Sequence, residues 1–170
     1  MTTMVETPDF ARDDIDVAVQ WGFGEWGRLE ATLLIKDYKV NCCTEDVAAR
    51  ITQPEDILNE TLLQPVLPNA LWRDILKFLE LPEPTNVDEI SFHDAATMRR
   101  ATLSKMGIGL ISKIDAESDV RAGKLVAPLG INVLDDMPDE HIPGFYLVLP
   151  KAHRRVSSIA QFCDWISKQD

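Results

Sequence analysis

Positively charged residues are scarce in this sequence. Its 17 lysines and arginines are outnumbered by 28 aspartates and glutamates, so the formal net charge is −11 at pH 7. Binding to the phosphates of nucleic acid requires clustered lysine and arginine side chains, and binding to an anionic membrane surface requires the same clusters. The basic cluster at Lys151, His153, Arg154 and Arg155 is too small for this and predicts a solvated loop or a partner for nearby acids. The composition therefore argues against a direct nucleic-acid or membrane partner for this chain.

Long hydrophobic runs are also missing. No apolar stretch reaches the roughly 18–20 residues that cross a bilayer, and the chain does not open with a basic segment followed by an apolar signal sequence. The hydrophobic and charged fractions, 45% and 26%, are typical of a soluble globular protein. We therefore expect a cytoplasmic location, and the 170 residues are enough for one sizeable core or two small lobes.

Motifs of the common enzyme and metal sites do not occur in the sequence. It contains no GxSxG, no P-loop, no CxxC, no HExxH and no GxGxxG placed after a strand. Cys42, Cys43 and Cys163 lack metal-ligand spacing, and we predict that they are buried free thiols. A pairing of His93 with Asp94 or with Cys163 leaves a small enzyme as one alternative. No pattern brings either pair together, so we predict no catalytic residue, no metal site and no cofactor.

The most informative stretch covers residues 14–43. An apolar run at 15–19 is followed by a glycine-aromatic loop at 21–27 and then by an unusually long β-prone run over 31–43. A chain that leaves one lobe and enters another needs such a strand. A second β-prone run at 144–150 would carry the chain back. The pattern predicts two lobes with a cleft between them, and such clefts are common ligand sites.

Hydrophobic spacing predicts the elements in the middle of the chain. In order, we expect two short helical pieces over 44–63, an amphipathic helix over 71–81, a strand at 90–92, a helix over 95–106, a strand at 108–111, a helix over 115–122 and a strand at 124–127. Asp94 is the expected N-cap of the 95–106 helix, and Gly107 its left-handed C′ residue. The strand–helix–strand series from 90 to 111 predicts a βαβ unit with parallel strands.

A final helix is predicted near the C-terminus. Its start should be a capping box made by Ser158 and Gln161. Its buried stripe is expected to consist of Ile159, Phe162, Trp165 and Ile166.

Four segments occur in a fixed order: DIDVAVQWGFGEWGRLEATLL, GIGLIS, DVRAGKLVAPLG and GFYLVLPKAHRRVSSIAQFCDWI. From about residue 8 to the C-terminus, this series resembles the effector-binding domain of LysR-type transcriptional regulators, and most closely the glycine-cleavage-activator type. The resemblance implies an α/β fold of the two-lobed type 2 periplasmic-binding-protein class, with hinge-crossing strands. Lobe I would comprise residues 8–37 and 148–170, lobe II residues 38–147, and residues 1–7 a disordered start.

The resemblance also implies an N-terminally truncated protein. In the family, the counterpart of residues 5–19 follows a winged helix-turn-helix, a linker helix, and the first strand and helix of lobe I, and none of these is recognisable here. We therefore expect contact with DNA only through that absent domain, and an exposed apolar patch on lobe I. A natural truncation, a shortened gene model and a designed fragment are three open explanations.

The family's function is ligand-controlled transcription, in which a small metabolite enters the cleft, the lobes shift and attached DNA-binding domains are repositioned. Matching by residue assigns Trp21, Phe23, His93 and Asp94 to the walls of that cleft. An amino acid or small carboxylate is the expected effector class, because helix N-termini offer N–H groups to a carboxylate. Effector domains pair side by side in the family, so a homo-oligomer is expected.

Other interpretations are open at this stage. Asp94 could act only as a helix N-cap, and Trp21 and Phe23 could pack in a core or at a lobe boundary. The chain could also be a free-standing small-solute-binding module, or a remnant without a function.

Overall fold

The computed structural model of the chain describes residues 7–66, 71–83 and 87–168. The chain divides into two compact units, which we call unit 1 (Met1–Asp37 with Ile142–Asp170) and unit 2 (Tyr38–His141). It enters unit 2 after Asp37 and returns to unit 1 at Ile142. The assignment of two lobes to residues 8–37 with 148–170 and to residues 38–147 stays a prediction.

The described residues form seven strands and five α-helices. The strands are β1 (Ala18–Gly22), β2 (Glu30–Lys36), β3 (Lys39–Cys42), β4 (Leu62–Pro65), β5 (Glu89–Phe92), β6 (Ile108–Ser112) and β7 (Gly144–Leu149). The helices are α1 (Glu45–Ala48), α2 (Leu71–Phe78), α3 (Ala95–Leu103), α4 (Lys113–Arg121) and α5 (Ser157–Ile166). Short 3₁₀ helices cover Pro54–Asn59, Asp139–His141 and His153–Arg155.

Unit 1 is built on a three-stranded antiparallel sheet in the order β1–β7–β2. The central strand β7 packs Leu147 and Leu149 against Cys163 of α5. Partly buried apolar side chains surround this cluster, namely Val17, Leu34, Ile159 and Ile166. The apolar sequence of β7 therefore reflects a strand that has neighbours on both edges and a helix on one face.

The last helix differs from its prediction in the face that it buries. Cys163 is 0% exposed, whereas Phe162 and Trp165 are 43% and 58% exposed. The buried stripe is Ile159, Cys163 and Ile166, so two residues of the expected stripe are kept and Cys163 replaces Phe162 and Trp165. The predicted capping box is wrong as well, because α5 begins at Ser157 with Val156 as N-cap, and Gln161 Nε2 donates to Ser157 Oγ at 3.2 Å.

The long strand expected over residues 31–43 is two strands in two sheets. β2 pairs with β7 in unit 1, and β3 pairs with β6 in unit 2. Between them, the Asp37 N–H donates to the Pro143 carbonyl at 2.8 Å, and the Asp37 carboxylate accepts from Trp21 Nε1 at 2.7 Å. These two bonds hold the chain at the point where it changes from one sheet to the other.

Unit 2 contains a four-stranded mixed sheet in the order β3–β6–β4–β5. β4 pairs in parallel with both β5 and β6, and β3 is antiparallel to β6. One face packs Val40, Cys42, Leu63 and Ile111 against residues of α3 and α4. The predicted βαβ unit is present as parallel β5 and β6 joined by α3, but β4 lies between the two strands.

Close packing requires glycine at two positions, Gly109 within β6 and Gly107 directly before it. A Cβ at Gly109 would lie 2.1 Å from Thr102 Oγ1 of α3, and one at Gly107 would lie 2.0 Å from the Thr61 carbonyl oxygen. Gly107 is not the left-handed residue after α3 that was predicted. The helix ends earlier, at Leu103, so Lys105 adopts the left-handed conformation with φ of 65°.

The strand predicted at residues 124–127 is reduced to one bridge. Val126 and Cys43 exchange two backbone hydrogen bonds of 2.7 and 2.9 Å. The N–H groups of Lys124 and Leu125 instead donate to the Asp119 carbonyl at the end of α4, which leaves them unavailable for a ladder.

An ion pair between α3 and α4 offers a test of this packing. Both Asp119 oxygens accept from Arg99 at 2.6 Å, and the Asp119 side chain is 3% exposed. We expect Asp119→Ala to lower the free energy of unfolding by about 2–3 kcal/mol, because Arg99 loses a two-point partner in a mostly buried pair. Urea unfolding measures this. Glu117→Ala, an exposed change on the same helix, should have an effect within about 0.5 kcal/mol, and equal effects of both variants would contradict the prediction.

Candidate functional site

Three parallel strands of unit 2 end at the same edge of its sheet. β4 ends at Pro65, opposite Phe92 at the end of β5, and β6 ends at Ser112. α3 and α4 begin close behind β5 and β6. In α/β sheets, ligands bind outside the carboxyl ends of the strands, where helix N-termini and loops converge. This edge, which we call the carboxyl edge, is the first candidate site.

His93 and Asp94, two of the residues predicted from the sequence, lie on the carboxyl edge directly after β5. His93 is exposed. Asp94 is the N-cap of α3, and its Oδ1 accepts from the Thr97 N–H at 2.7 Å. The Thr97 hydroxyl, and then the Thr97 N–H, lower the pKa of the Asp94 carboxyl, so the edge carries a fixed negative charge. The N-cap interpretation of Asp94 is thus confirmed, and a role in ligand binding stays a prediction.

Trp21 and Phe23 belong to unit 1, at the end of β1 and in the loop that follows. Both are half-buried. The Trp21 indole N–H donates to the Asp37 carboxylate at 2.7 Å. The rest of the loop packs on the sheet, because the Trp26 ring lies 5.3 Å from that of Tyr146 and a Cβ at Gly22 would lie 3.2 Å from Trp26. The structure thus places the four predicted residues as two pairs, one in each unit.

Sequence reasoning missed a polar row inside unit 2. Asn41 of β3 is 0% exposed, and neither its Nδ2 nor its Oδ1 has a hydrogen-bond partner. Gln64 of β4 donates from Nε2 to Glu89 at 2.8 Å, but its Oε1 has no partner. Because Asn41 pairs with Leu110 and the next pair is Cys42 with Gly109, Asn41 lies on the sheet face opposite the α3–α4 core. Gln64, next to Leu63, lies on that same face.

A lysine extends this row toward the end of β6. Lys39 is 7% exposed and lies two residues before Asn41, so both side chains point to one face of β3. Its Nζ donates to Ser112 Oγ at 3.3 Å. The sequence did contain a signal for this row, because polar residues alternate with Val40 and Cys42. β-propensity alone did not distinguish a strand with one buried polar face from an ordinary core strand.

Cys42, Cys43 and Cys163 are the thiols that the sequence predicted to be buried and free. All are buried and free. Burial raises the pKa of Cys42 to about 12 and that of Cys43 to about 11, so both stay protonated at neutral pH. Cys163 lies in unit 1 and His93 in unit 2. In the part of the chain that the structure describes, no group of three or more His, Cys, Asp or Glu side chains could hold a metal ion. None of the helices described is long and apolar enough to cross a membrane.

Comparison with known proteins decides the family. The model of the LysR substrate binding domain matches residues 3–170. The chain belongs to this family. The resemblance drawn from the sequence and its α/β fold are confirmed.

Two curated relatives of this LysR substrate-binding domain are regulators of Escherichia coli (strain K12). The HTH-type transcriptional regulator PerR is 26% identical over 166 residues, which are 98% of this chain and 54% of the relative. The glycine cleavage system transcriptional activator is 27% identical over 161 residues, 93% of this chain and 50% of the relative. The chain thus spans about half the length of the curated relatives it matches.

A solved structure has the same fold. The effector domain of the transcriptional regulator AmpR of Pseudomonas aeruginosa superposes with a TM-score of 0.78 at 20% identity, covering 98% of this chain and 78% of that structure. At this identity the likeness supports the fold and carries no residue roles.

The unpartnered Asn41 amide predicts an unusual stability change. Replacing a buried polar group that makes no hydrogen bond by an apolar group of similar size removes a desolvation penalty. Asn41→Leu should raise the free energy of unfolding of this LysR substrate-binding domain by about 1–2 kcal/mol in urea unfolding. Asn132→Leu, on an exposed residue, should change it little. A loss of stability in Asn41→Leu would show that the amide has a buried partner, such as water.

Proposed function

We propose that this chain is the ligand-sensing part of a LysR-type transcriptional regulator and that a small metabolite bound to it controls transcription. Family membership supports the first part. The observation that carries the second is the carboxyl edge of unit 2, where the ionised Asp94 and exposed His93 follow one strand and the Gln64 carbonyl on the neighbouring strand has no partner. The same proposal places the protein in the cytoplasm.

An amino acid is the effector class that these groups favour. A ligand ammonium group near Asp94 would gain a Coulomb attraction, whereas an anion without an ammonium group would be repelled by the Asp94 charge. A ligand carboxylate would have to point away from Asp94, because the Asp94 carboxylate already accepts from the Thr97 N–H at the start of α3. Among the small carboxylates considered from the sequence, a zwitterion therefore fits best.

Unit 1 is proposed to supply apolar contacts through Trp21 and Phe23. The Trp21 N–H is occupied by Asp37, so its ring would contact the carbon skeleton of a ligand rather than its polar groups. This assignment is separate from that of Asp94 and His93, and each pair can be tested in its own unit.

Contact with DNA is not assigned to this chain. Its charge of −11 opposes phosphate binding. Both relatives are named as transcriptional regulators and are about twice as long as the matched segment. We propose that a DNA-binding domain in such a longer protein makes that contact. A free-standing solute-binding module and a remnant without sensing function are the competing alternatives.

Ligand binding can be tested by thermal unfolding with a panel of amino acids and small carboxylates. A compound that binds only the folded chain raises the midpoint. Asp94→Asn keeps an oxygen for the Thr97 N–H, so the α3 cap is retained while the charge is lost. We expect the effective amino acid to bind Asp94→Asn at least about tenfold more weakly, and the unliganded midpoint to remain nearly unchanged.

Asp115→Asn is the matched control, because it removes an exposed acid from α4 of the same unit. It should leave the ligand-induced shift intact. A broad transition that no compound shifts would contradict the sensing proposal and favour a remnant. A shift of equal size in all three proteins would contradict the role given to Asp94.

Self-association through unit 1 is the second expected property. Trp21, Phe145 and Ile35 form a register row across β1, β7 and β2. Ile35 is 60% exposed, and an exposed apolar row favours contact with another protein surface. We expect sedimentation velocity to show concentration-dependent association that salt does not weaken, and Ile35→Ser to reduce it. Ile114→Ser, on an 81% exposed residue of unit 2, should not, and a monomer at all concentrations would contradict the proposal.

A further inference from the structure

A cavity lies in unit 2, away from the carboxyl edge. Its volume is about 310 Å³. The strand register gives its position: Cys42 pairs with Gly109 near the amino end of β6, and Cys43 then bridges Val126. The wall segments 51–54 and 128–133 follow these two residues closely, so they leave the sheet at the amino ends of the parallel strands.

Most of the residues that line the cavity are apolar. Ile51, Pro54, Leu79, Pro128, Leu129 and Val133 contribute to its lining. All of these except Pro54 are half-buried, whereas Pro54 and the two polar lining residues, Thr52 and Gln53, are exposed. The less exposed lining residues are therefore all apolar, and both polar lining residues are exposed to solvent. This arrangement is common in sites for small molecules.

The polar groups at the mouth are satisfied by one another. The Asp56 carboxylate accepts from the Thr52 N–H at 2.8 Å, from Thr52 Oγ1 at 2.7 Å and from the Gln53 N–H at 3.0 Å. Proline has no N–H to offer at position 54. These N–H groups are thus occupied, and the group that occupies them is an anion, so a ligand anion would meet repulsion without a donor.

We propose that this cavity binds a compact, uncharged apolar molecule, such as a substituted aromatic ring or a branched aliphatic chain. Its size is sufficient, because a dry apolar cavity of about 150 Å³ can already take up benzene. The site is separate from the proposed effector site, since the two are at opposite ends of the unit 2 sheet. A molecule bound here stabilises unit 2 by joining the 51–54 and 128–133 segments.

A cysteine-protection experiment on the full chain tests this inference. All native thiols are buried, so Thr52→Cys introduces the only cysteine placed at an exposed position among the described residues. We expect benzyl alcohol to slow the alkylation of this cysteine by iodoacetamide about fivefold at a concentration of about four times its Kd, because only the empty site reacts. Benzoate, which has the same ring and a negative charge, should protect much less.

Glu117→Cys is the matched control, on an exposed face of α4 that does not line the cavity. Benzyl alcohol should not change its alkylation rate. Equal protection at both cysteines, or no protection at Thr52→Cys, would overturn the proposal. Asp56 lies beside position 52 and disfavours the thiolate, so the reaction is run at a pH that ionises the free thiol. A Thr52→Cys thiol that does not react there even without the probe would also overturn the proposal, because another segment or a second copy of the chain would then cover the cavity. Protection by benzoate equal to that by benzyl alcohol would overturn the assigned ligand class.

Discussion

Parallel pairing of β4 with both β5 and β6 is the constraint on which the arrangement of unit 2 depends. Parallel neighbours cannot be joined by a tight hairpin, so each connection must cross from one end of the sheet to the other. The connection from β5 to β6 runs through α3, which covers one face of the sheet, and there Met98 and Ala101 pack against Leu63 and Ile111. It also gathers the three strand ends, and with them Asp94, at one edge. The proposed effector site and the apolar cavity are thus at opposite ends because of one pairing pattern.

Most elements with a strong local signal could be predicted from the sequence. The spacing of Leu71, Trp72 and Ile75 indicated α2. Asp94 indicated the start of α3, and in the structure its carboxylate accepts from the Thr97 N–H. A crossing between lobes after residue 37 was expected from the sequence, but the break of the 31–43 run into two strands of different sheets was not. This break depends on hydrogen-bond partners more than 100 residues away in the sequence, such as Pro143. The residue types of a β-prone run do not indicate which strands it will pair with.

The candidate site was only partly visible in the sequence for a related reason. Asp94 and His93 follow a strand, so their place at its carboxyl end could be inferred. Asn41 occurs in a run rich in β-formers, and its burial depends on what covers β3 in three dimensions. The error at Phe162 and Trp165 is similar, because two stripes of α5 have the same helical spacing. The small Cys163 fits against Leu147 and Leu149, so close packing with β7 selects the stripe.

The close contact between Thr102 of α3 and Gly109 of β6 couples the residue types that these two positions can accept. Thr102 is fully buried and its hydroxyl donates to the Met98 carbonyl at 3.0 Å, so its side chain has no room to retreat. The missing Cβ at Gly109 lets α3 lie directly on β6. In an evolving population the two positions would therefore not vary independently. A larger residue at 109 would be tolerated only after 102 had become smaller, and the height of α3 above the sheet, which sets where Asp94 lies, would drift with that exchange.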